Sequence, residues 1–411
     1  MDQLLLLVKT DGQHSNSDQF MSERIRRMWP QWMDGLNRYQ SWIDASSNQS
    51  TVKPNLYNRT CLHIHLHLGF LTLKPSVGIE EEINKGGPLG ELVQWTDLIT
   101  ALYLLGHKVT VSKGVMNTIN LLRTWQLASI SCKYIPQRPD LIYTDIRGFQ
   151  QLRTSSLVPQ CKFRVLDSFG TENKYNLRKP SSFFGLKLNL QQFQTFFPHT
   201  PDNSFLGFVI ENDSAGLTTP QKSTGKPIAL VAGKVFQMWQ KSKTYLEVLS
   251  EFFDVHGNVA DVNNKRQLPS FVTNHRVLSG TDYLDLLKSA KVSRHIHGVP
   301  SIQISSSDYS RVLVGLGFPY ESPSPLEAIA HGVIFLNVKF KVPHSKRTNP
   351  FFREKPTDRQ SDVCDILQLT SQHPYIEEYV GEPYSYLVDP EDAQQVRETV
   401  RRLLSRPPFA F

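Results

Sequence analysis

The sequence has no apolar run as long as the roughly 18–20 residues that a membrane-spanning helix requires. Its first apolar run, residues 4–8, is far shorter and lacks the basic flank and the cleavage site of a secretory signal. The 411 residues therefore predict neither a membrane span nor a cleaved signal. Contact with a membrane would require an anchor that these residues do not include.

A strong excess of charge of one sign is also missing. The net charge is +7 at pH 7, and the lysines and arginines are scattered without a long basic run. This pattern disfavours a nucleic-acid interface, which needs a basic patch or stripe, and it suits a small anionic substrate. Hydrophobic residues make up 39% of the chain and charged residues 20%, as in globular proteins.

Cysteine is scarce. Four cysteines are too few for a disulfide scaffold, and their spacing matches no metal site. Cys132 and Cys161 flank a strand-like segment and form the predicted disulfide, while the pairing of Cys61 and Cys364 is left open. Three Asn-x-Ser/Thr triplets also indicate a secretory compartment. They begin at Asn48, Asn58 and Asn212.

The first sixty residues are polar and only partly helical. Apolar residues recur at helical spacing over residues 21–43, and Pro30 is expected to interrupt this helix. A stretch rich in serine and asparagine, residues 46–51, is typical of a linker. Residues 1–60 are therefore predicted to be a separate, stem-like segment.

Strands and helices then alternate in two sets. In the first set, a strand over residues 61–70 precedes a helix over residues 91–105, with Gly106 as its stop. The second set opens with a predicted strand over residues 205–210. Together they predict an α/β protein with two doubly wound, Rossmann-like domains facing a cleft. The domains are residues 61–203 and 204–411.

A glycine-rich turn runs directly into an amphipathic helix near residue 90. Gly86 and Gly87 let backbone N–H groups approach a ligand, and the helix start adds unpaired N–H donors that suit a diphosphate. Glu91 sits at this junction, where a carboxylate can take a proton from an attacking hydroxyl. The combination predicts a transferase site for a nucleotide-activated donor, and a capped helix after a loop is the alternative.

A second loop, rich in glycine and proline, joins a strand to a helix over residues 315–328. Pro319 shapes this loop, and the carboxylates of Glu321 and Glu327 can each accept hydrogen bonds from two neighbouring sugar hydroxyls. Lys234, at the end of another strand, can neutralise a departing diphosphate without a metal. These residues are the predicted donor site, and a proline-braced loop with a capping acid is the alternative.

Two further features leave alternatives open. Asp167 ends a strand before a small-residue turn, which suits hydroxyl binding and turn formation equally. His63, His65 and His67 alternate on one strand face, and alternate histidines can share a metal ion. A metal-dependent hydrolase is therefore a rival hypothesis. It would need ligands from other strand ends, and no matching cluster is present, so histidines packed or solvated on the strand face are favoured.

Five blocks of the sequence match one family pattern: residues 86–106, 163–172, 197–208, 314–330 and 371–375. They closely resemble the N-acetylglucosaminyltransferase V family, the α-1,6-mannosylglycoprotein 6-β-N-acetylglucosaminyltransferases. The resemblance extends over about residues 61–390. Its long, nearly literal blocks make it far more specific than any single motif.

The resemblance implies a two-domain glycosyltransferase of the B type. It implies transfer of GlcNAc from UDP-GlcNAc to the 6-hydroxyl of an α-1,6-linked mannose on N-glycoproteins in the Golgi lumen. Inversion at the anomeric carbon is implied, with no metal or other cofactor. The family's catalytic base falls on Glu91, its acceptor-contacting aspartate on Asp167, and its donor-side carboxylates on Glu321 and Glu327.

Some departures from the family pattern bear on activity. Phe184 stands near the position of an acceptor-side tryptophan, so a stacking platform is kept without the indole N–H. Residues 293–310 and 359–367 are not in the expected pattern. The family's membrane anchor and Cys-rich C-terminal extension are also missing from these residues, which makes Cys61 the candidate for an unpaired thiol. An inactive, truncated remnant of the transferase is the third hypothesis.

Overall fold

The computed structural model describes residues 1–9, 15–49, 61–72, 79–84, 89–124, 138–153, 158–177, 185–198, 202–211, 226–260, 267–276, 278, 282–283, 286–287, 312–359 and 368–405. The chain divides into two compact units. The first comprises Met1–Val209 and Glu354–Asp358, and the second comprises Ile210–Arg353 and Arg359–Phe411.

The described part of the first unit holds a six-stranded sheet whose neighbouring strands are all parallel. The strands are β1 (His63–His67), β2 (Lys108–Ser112), β3 (Leu141–Asp145), β4 (Phe163–Leu166), β5 (Phe193–Thr195) and β6 (Ser204–Phe205). Their order is β2-β1-β3-β4-β5-β6. This is a flavodoxin-like, doubly wound order, and the point where the strand order reverses lies between β1 and β3.

Two helices precede β1, and the others lie between the strands. They are α1 (Asp2–Val8), α2 (Asn16–Gln49), α3 (Ile79–Asn84), α4 (Leu89–Leu104), α5 (Val115–Thr124), α6 (Ile146–Leu152) and α7 (Asn173–Asn176). The helix predicted over residues 91–105 is confirmed as α4. Gly106 follows it with φ +82°, a left-handed conformation that glycine adopts at no steric cost.

Both faces of β1 are buried, as expected of a central parallel strand. Ile64 and Leu66 join a core that includes Trp95 of α4. His65 and His67 are fully buried on the opposite face. His65 and His67 are therefore packed, one of the two favoured possibilities, whereas His63 is only half-buried.

Helix α1 and the first half of α2, both within the predicted stem, pack into the first unit. Leu4 of α1 and Met21 of α2 lie in the same core as β1 and α4. Arg24 of α2 forms a buried ion pair with Asp97 of α4, with 2.9 Å between Nε and Oδ1. The division after Val209, rather than after residue 203, follows because β6 completes the first sheet.

Three local predictions are wrong: the helix break at Pro30, the linker from residue 46 and the full strand over residues 205–210. α2 continues through Pro30 and into residues 46–49 of the predicted linker. A proline costs a helix interior about 3 kcal/mol, and the packing of the first half of α2 on the core offsets this cost. The strand predicted over residues 205–210 pairs only at its start. Gly207 has φ +73°, and the N–H of Val209 donates to Asp97 at 2.8 Å instead of to a strand.

The described part of the second unit holds a seven-stranded sheet. The strands are β7 (Ile228–Ala232), β8 (Asp254–Gly257), β9 (Val272–Asn274), β10 (Val312–Gly315), β11 (Ile334–His344), β12 (Leu369–Ser371) and β13 (Ser385–Val388). Six are parallel in the order β9-β8-β7-β10-β11-β13, and β12 pairs antiparallel with the end of β11. This Rossmann order reverses between β7 and β10.

Short helices flank this second sheet. They are α8 (Phe236–Trp239), α9 (Lys243–Ser250), α10 (Ser324–Ala330), α11 (Pro374–Tyr379) and α12 (Ala393–Leu404). Leu246 and Leu249 of α9 share a core with Val396 and Val400 of α12. The prediction of an α/β protein with two doubly wound units is confirmed. Within the described ranges, no helix combines the length and apolar character needed to cross a lipid bilayer.

Candidate active site

Two glycines and an aspartate build the edge between β1 and β3. Gly69 follows β1, Gly148 lies in α6, and a Cβ on Gly69 would overlap the Gly148 backbone. The carboxylate of Asp145 caps α6 by accepting from the N–H of Gly148 at 2.9 Å, and it accepts from the N–H of Phe70 at 3.0 Å. Burial nevertheless raises the pKa of Asp145. The carboxylate is thus fixed where open α/β sheets bind ligands.

Replacing Gly69 by alanine is expected to destabilise the protein by about 1–3 kcal/mol or more, because the new methyl group meets backbone that cannot move away. Gly35 of α2 is a matched control, since a Cβ there has nothing within 4 Å. Gly35→Ala is expected to stabilise the protein by roughly 0.5–1 kcal/mol. Urea unfolding of both variants measures the difference, and equal effects would contradict the close approach of Gly69 to the Gly148 backbone.

Glu91 lies in the first turn of α4, which starts at the carboxyl edge of the sheet because it connects β1 to β2. Burial raises the pKa of its carboxyl above the ordinary value. The charge of Lys355 opposes this rise, and the charge of Asp145 adds to it. A carboxylate with a raised pKa is a stronger base near neutral pH than an exposed one. The predicted base therefore has a setting suited to that role.

Lys355 belongs to the segment Glu354–Asp358, which returns to the first unit from late in the chain. The side chain of Glu172 fixes this segment by accepting from the N–H of Asp358 at 2.5 Å. The ammonium of Lys355 lies 5.4 Å from the centre of the Phe169 ring, within cation–π range. The fold thus places the ammonium of Lys355 close enough to Glu91 for its charge to affect the pKa of the carboxyl.

Asp167 follows β4 and is almost fully buried. Its Oδ2 accepts from the hydroxyl of Thr171 at 2.6 Å, and its N–H donates to the carbonyl of Gln194 at 2.9 Å. These bonds shape the turn, which is one of the two predicted roles. Contact with an acceptor sugar stays a prediction for this residue.

The buried histidines of β1 take part in a hydrogen-bond network. Both ring nitrogens of His65 and of His67 have side-chain partners. The partners are the hydroxyls of Thr110, Ser112 and Thr118 and the amide of Gln151, at 2.9 to 3.1 Å. Burial lowers the pKa of His65 to about 3, so its ring stays neutral. These contacts give the network a structural role and lend no support to the metal-hydrolase alternative.

The second unit brings Lys234 and Glu327 together where its strand order reverses. Lys234 follows β7, and Glu327 lies in the first turn of α10, which follows β10. Burial lowers the pKa of Lys234 to about 8, and the carboxylate of Glu327 opposes this shift. Gly233 lies beside them in a tight space, because a Cβ there would lie 2.8 Å from Leu316 Cδ1 and from Trp239 Nε1. A partly desolvated cation at this position suits a diphosphate.

Glu321 has a partner that the sequence did not indicate. The guanidinium of Arg359 donates to Oε2 of Glu321. The side chain of Glu321 is 3% exposed and that of Arg359 is 2% exposed. Both residues have left-handed backbones, with φ +48° for Glu321 and +51° for Arg359. Burial raises the pKa of Glu321, while Arg359 favours its charged form. The carboxylate is therefore engaged inside the protein.

Comparison with known protein families assigns the chain to a family. Residues 2–300 and 296–411 match the sequence pattern of glycosyltransferase family 18. The chain belongs to this family. The family membership expected from the five sequence blocks is thereby confirmed.

Named relatives in this family are similar over most of the chain. The chain is 39% identical over 402 residues to alpha-1,6-mannosylglycoprotein 6-beta-N-acetylglucosaminyltransferase A of Cricetulus griseus, covering 94% of this chain and 49% of the relative. It is 34% identical over 404 residues to the B enzyme of Homo sapiens, covering 94% and 46%. The chain thus spans about half the length of the curated relatives it matches.

A solved structure of a glycosyltransferase from Rickettsia africae aligns with this chain. The alignment covers 84% of this chain and 89% of the glycosyltransferase chain. The TM-score is 0.43 and the sequence identity is 9%. The assignment of the fold rests on the strand orders of the two sheets.

The structure places the predicted site residues in separate local groups. Glu91 lies near Lys355 and Asp145, and Lys234 lies near Glu327. The carbonyl of Pro319 accepts a hydrogen bond from the side chain of Gln372, which lies far along the chain. Other predicted residues lie outside the described ranges. They are Gly86, Gly87, Phe184, Cys132, Cys364 and residues 293–310.

Three charged residues were missed by the sequence interpretation. Asp145 ends a strand just before a helix, the same signal that singled out Asp167, and could have been found in that way. Lys355 and Arg359 carry no local signal, because their partners are far away in sequence.

The cysteines are described in part. Cys161 is disulfide-bonded, and its partner is not among the described residues. Cys61 is a free, exposed thiol. Pairing of Cys161 with Cys132 stays a prediction.

Proposed function

We propose that this chain transfers N-acetylglucosamine from UDP-N-acetylglucosamine to the 6-hydroxyl of an α-1,6-linked mannose on N-glycans. The observation that carries the proposal is the presence of a carboxylate with a raised pKa, Glu91, in one unit and of a cation–carboxylate pair, Lys234 and Glu327, in the other. The names of the relatives, α-1,6-mannosylglycoprotein 6-β-N-acetylglucosaminyltransferases, support the same substrates.

Glu91 acts on the acceptor. It takes the proton of the mannose 6-hydroxyl while that oxygen attacks the anomeric carbon from the face opposite UDP. The new C–O bond forms as the bond to the diphosphate oxygen breaks, so the anomeric configuration inverts in one step. Asp167 and Phe184 are assigned to holding the acceptor sugar. Asp145 and burial strengthen Glu91 as a base, and Lys355 favours its charged form.

Lys234 and Glu327 act on the donor. Negative charge grows on UDP as it leaves, and the ammonium of Lys234 offsets it. The carboxylate of Glu327 accepts hydrogen bonds from sugar hydroxyls. Gly86 and Gly87 are assigned to the diphosphate on their sequence pattern, a glycine-rich turn before a helix. With a lysine supplying the positive charge, the proposed reaction uses no metal ion.

The proposed acceptors are N-glycoproteins of the Golgi lumen. A disulfide at Cys161 suits an oxidising compartment of this kind. The Asn-x-Ser/Thr triplets at Asn48, Asn58 and Asn212 suit it as well.

The pH profile of kcat/KM is expected to be bell-shaped. The rate rises as Glu91 loses its proton, at a higher pH than an exposed glutamate would give, because burial raises the pKa of Glu91. It falls near pH 8 as Lys234, whose pKa is about 8, loses its charge. Lys234→Arg keeps the positive charge at alkaline pH. The pH at which kcat/KM falls should therefore be higher in this variant than in the wild type. An unchanged alkaline limb in that variant would remove Lys234 from the mechanism.

Release of UDP tests the proposal. Folded protein is incubated with UDP-N-acetylglucosamine and excess EDTA, with and without a biantennary N-glycan acceptor. The expected result is UDP release that depends on the acceptor and is insensitive to EDTA. Activity lost in EDTA and restored by zinc would favour the metal-hydrolase alternative. Binding of UDP without any turnover would favour the truncated-remnant hypothesis.

A further inference from the structure

The loop between β10 and α10, residues 316–323, is held by hydrogen bonds from one distant segment. We call it the donor loop. The N–H of Gly317 donates to Gln372 Oε1 at 2.8 Å, and Gln372 Nε2 donates to the carbonyl of Pro319 at 3.1 Å. The N–H of Glu321 donates to the carbonyl of Gln372 at 3.0 Å. One glutamine therefore binds the donor loop at three points.

Gln372 reaches the donor loop through a space that only glycine leaves open. A Cβ on Gly315 would collide with Gln372 Oε1. Gln372 is 1% exposed, so water cannot replace its bonds to the loop. Without the amide, the N–H of Gly317 and the carbonyl of Pro319 would lose these partners, and the donor loop would be free to rearrange.

Gln372 is itself fixed by its neighbours on β11. Its N–H donates to the carbonyl of Val338 at 2.8 Å. Asn337, which is fully buried, donates to the carbonyl of His373 at 3.1 Å and accepts from its N–H at 3.0 Å. Gln372 and the residue after it, His373, are therefore held by β11.

His373 adds a fourth bond to the donor loop. Its Nδ1 accepts from the N–H of Ile376 at 3.3 Å, so the proton lies on Nε2, which donates to the carbonyl of Ser322 at 3.2 Å. Burial lowers the pKa of His373 to about 3, so the ring keeps this neutral tautomer at physiological pH. The hydrogen bond from His373 to Ser322 is therefore not lost by titration of the ring at physiological pH.

Glu321 takes part in the same arrangement. Its side chain is bound to Arg359 and buried, and its backbone is left-handed and bound to Gln372. A carboxylate engaged in this way shapes the loop. Glu327, half-buried in the helix that the loop leads into, lies near Lys234.

We propose that Gln372 is a positioning residue of the donor site, and that Glu321, paired with Arg359, also positions the loop instead of contacting the sugar. Together they fix the donor loop so that Glu327 is presented to the nucleotide sugar. The inference rests on the proposed function for the identity of the ligand. The geometry of the loop itself does not depend on it.

Gln372→Met tests the first part, because it keeps the volume and removes both amide bonds. Gln395 of α12 is a matched control, since it accepts from the N–H of Asp389 at 3.1 Å and donates to the carbonyl of Leu387 at 3.1 Å. In ligand-free protein, hydrogen exchange at Gly317 and Glu321 should rise at least about tenfold in Gln372→Met. It should stay at the wild-type rate in Gln395→Met. Wild-type exchange at both amides in Gln372→Met would overturn the inference.

Affinity for UDP-N-acetylglucosamine tests the second part. Gln372→Met should weaken it at least about tenfold, as a misplaced site does, and Gln395→Met should not. Glu321→Gln should also weaken it, and adding Arg359→Met should restore it, because the second change removes the buried charge left without its partner. A double variant as weak as Glu321→Gln alone would show that Glu321 contacts the donor.

The two readouts separate the possible failures. If the wild-type protein does not bind the nucleotide sugar, the proposed function fails, and the exchange rates still decide the role of Gln372. If Gln372→Met does not fold, Gln372→Asn, which withdraws the amide by one methylene, is used with the same two measurements and the same expectations.

Discussion

Replacing Glu91 by glutamine is expected to lower the rate of transfer by about 10²–10⁴-fold, the range that a general base contributes. Glutamine keeps the shape of the side chain and its place in the first turn of α4, but it cannot accept the proton of the attacking hydroxyl. The affinity for UDP should be unchanged, since Glu91 is not among the groups assigned to the diphosphate and the charged donor residues, Lys234 and Glu327, belong to the second unit. Single-turnover transfer and calorimetric binding of UDP measure the two quantities.

Glu81 offers a matched control for this change. It also lies in the first turn of a helix in the first unit, α3, but it is exposed. Glu81→Gln should leave both the rate and the affinity at wild-type values. Turnover retained in Glu91→Gln would rule out Glu91 as the base, and an equal loss in both variants would point to a general effect on the fold.

Replacing Arg359 by methionine is expected to destabilise the protein by about 3–5 kcal/mol, because it leaves the buried carboxylate of Glu321 without its partner. The pKa of Glu321, already raised by burial, should rise further once the arginine that favours the charged form is gone. The lost stability should therefore be partly regained at acid pH, where Glu321 takes up a proton. Urea unfolding at neutral and acid pH measures both effects.

The exposed pair between Arg397 and Glu251 is the control in the same unit. Their side chains are in contact at 2.6 Å but remain accessible to water, so Arg397→Met should change stability little. Adding Glu321→Gln to Arg359→Met should recover most of the loss, because a buried polar amide costs less than an unpaired charge. Equal losses in Arg359→Met and Arg397→Met would contradict the burial of the first pair.

Local sequence patterns predicted the regular parts of the fold well. The apolar face of α4 and its glycine stop are both set by residues within the helix, and the structure has them one or two residues from the expected bounds. The parallel strand β1 was equally clear, because its alternation is strict. Patterns of this kind depend on neighbours in sequence, which is why a single chain reveals them.

The wrong predictions depended on contacts between distant residues. An internal proline usually ends or kinks a helix. At Pro30 the helix continues, because the first half of α2 is packed on the core and Arg24 pairs with Asp97. The predicted strand after residue 205 fails because Asp97, far earlier in the chain, accepts the N–H of Val209. Neither partner is visible in the local pattern.

The residues of the candidate site also divide into those that a local sequence pattern indicates and those that depend on distant contacts. Glu91, Lys234 and Glu327 stand at strand or helix ends, where a motif identifies them from sequence alone. Lys355 and Arg359 flank the point where the chain passes back from the first unit to the second. The sequence gives no sign of that crossing, and so it predicted neither the cation near Glu91 nor the partner of Glu321.

The most direct test of the central claim is the structure of the product. Wild-type protein is incubated with UDP-N-acetylglucosamine and an N-glycan acceptor, and the linkage and anomeric configuration of the new sugar are determined by NMR. The expected product carries N-acetylglucosamine in β configuration on the 6-hydroxyl of the α-1,6-linked mannose. A product in α configuration would contradict the single displacement assisted by Glu91, and a product on another hydroxyl would contradict the proposed acceptor.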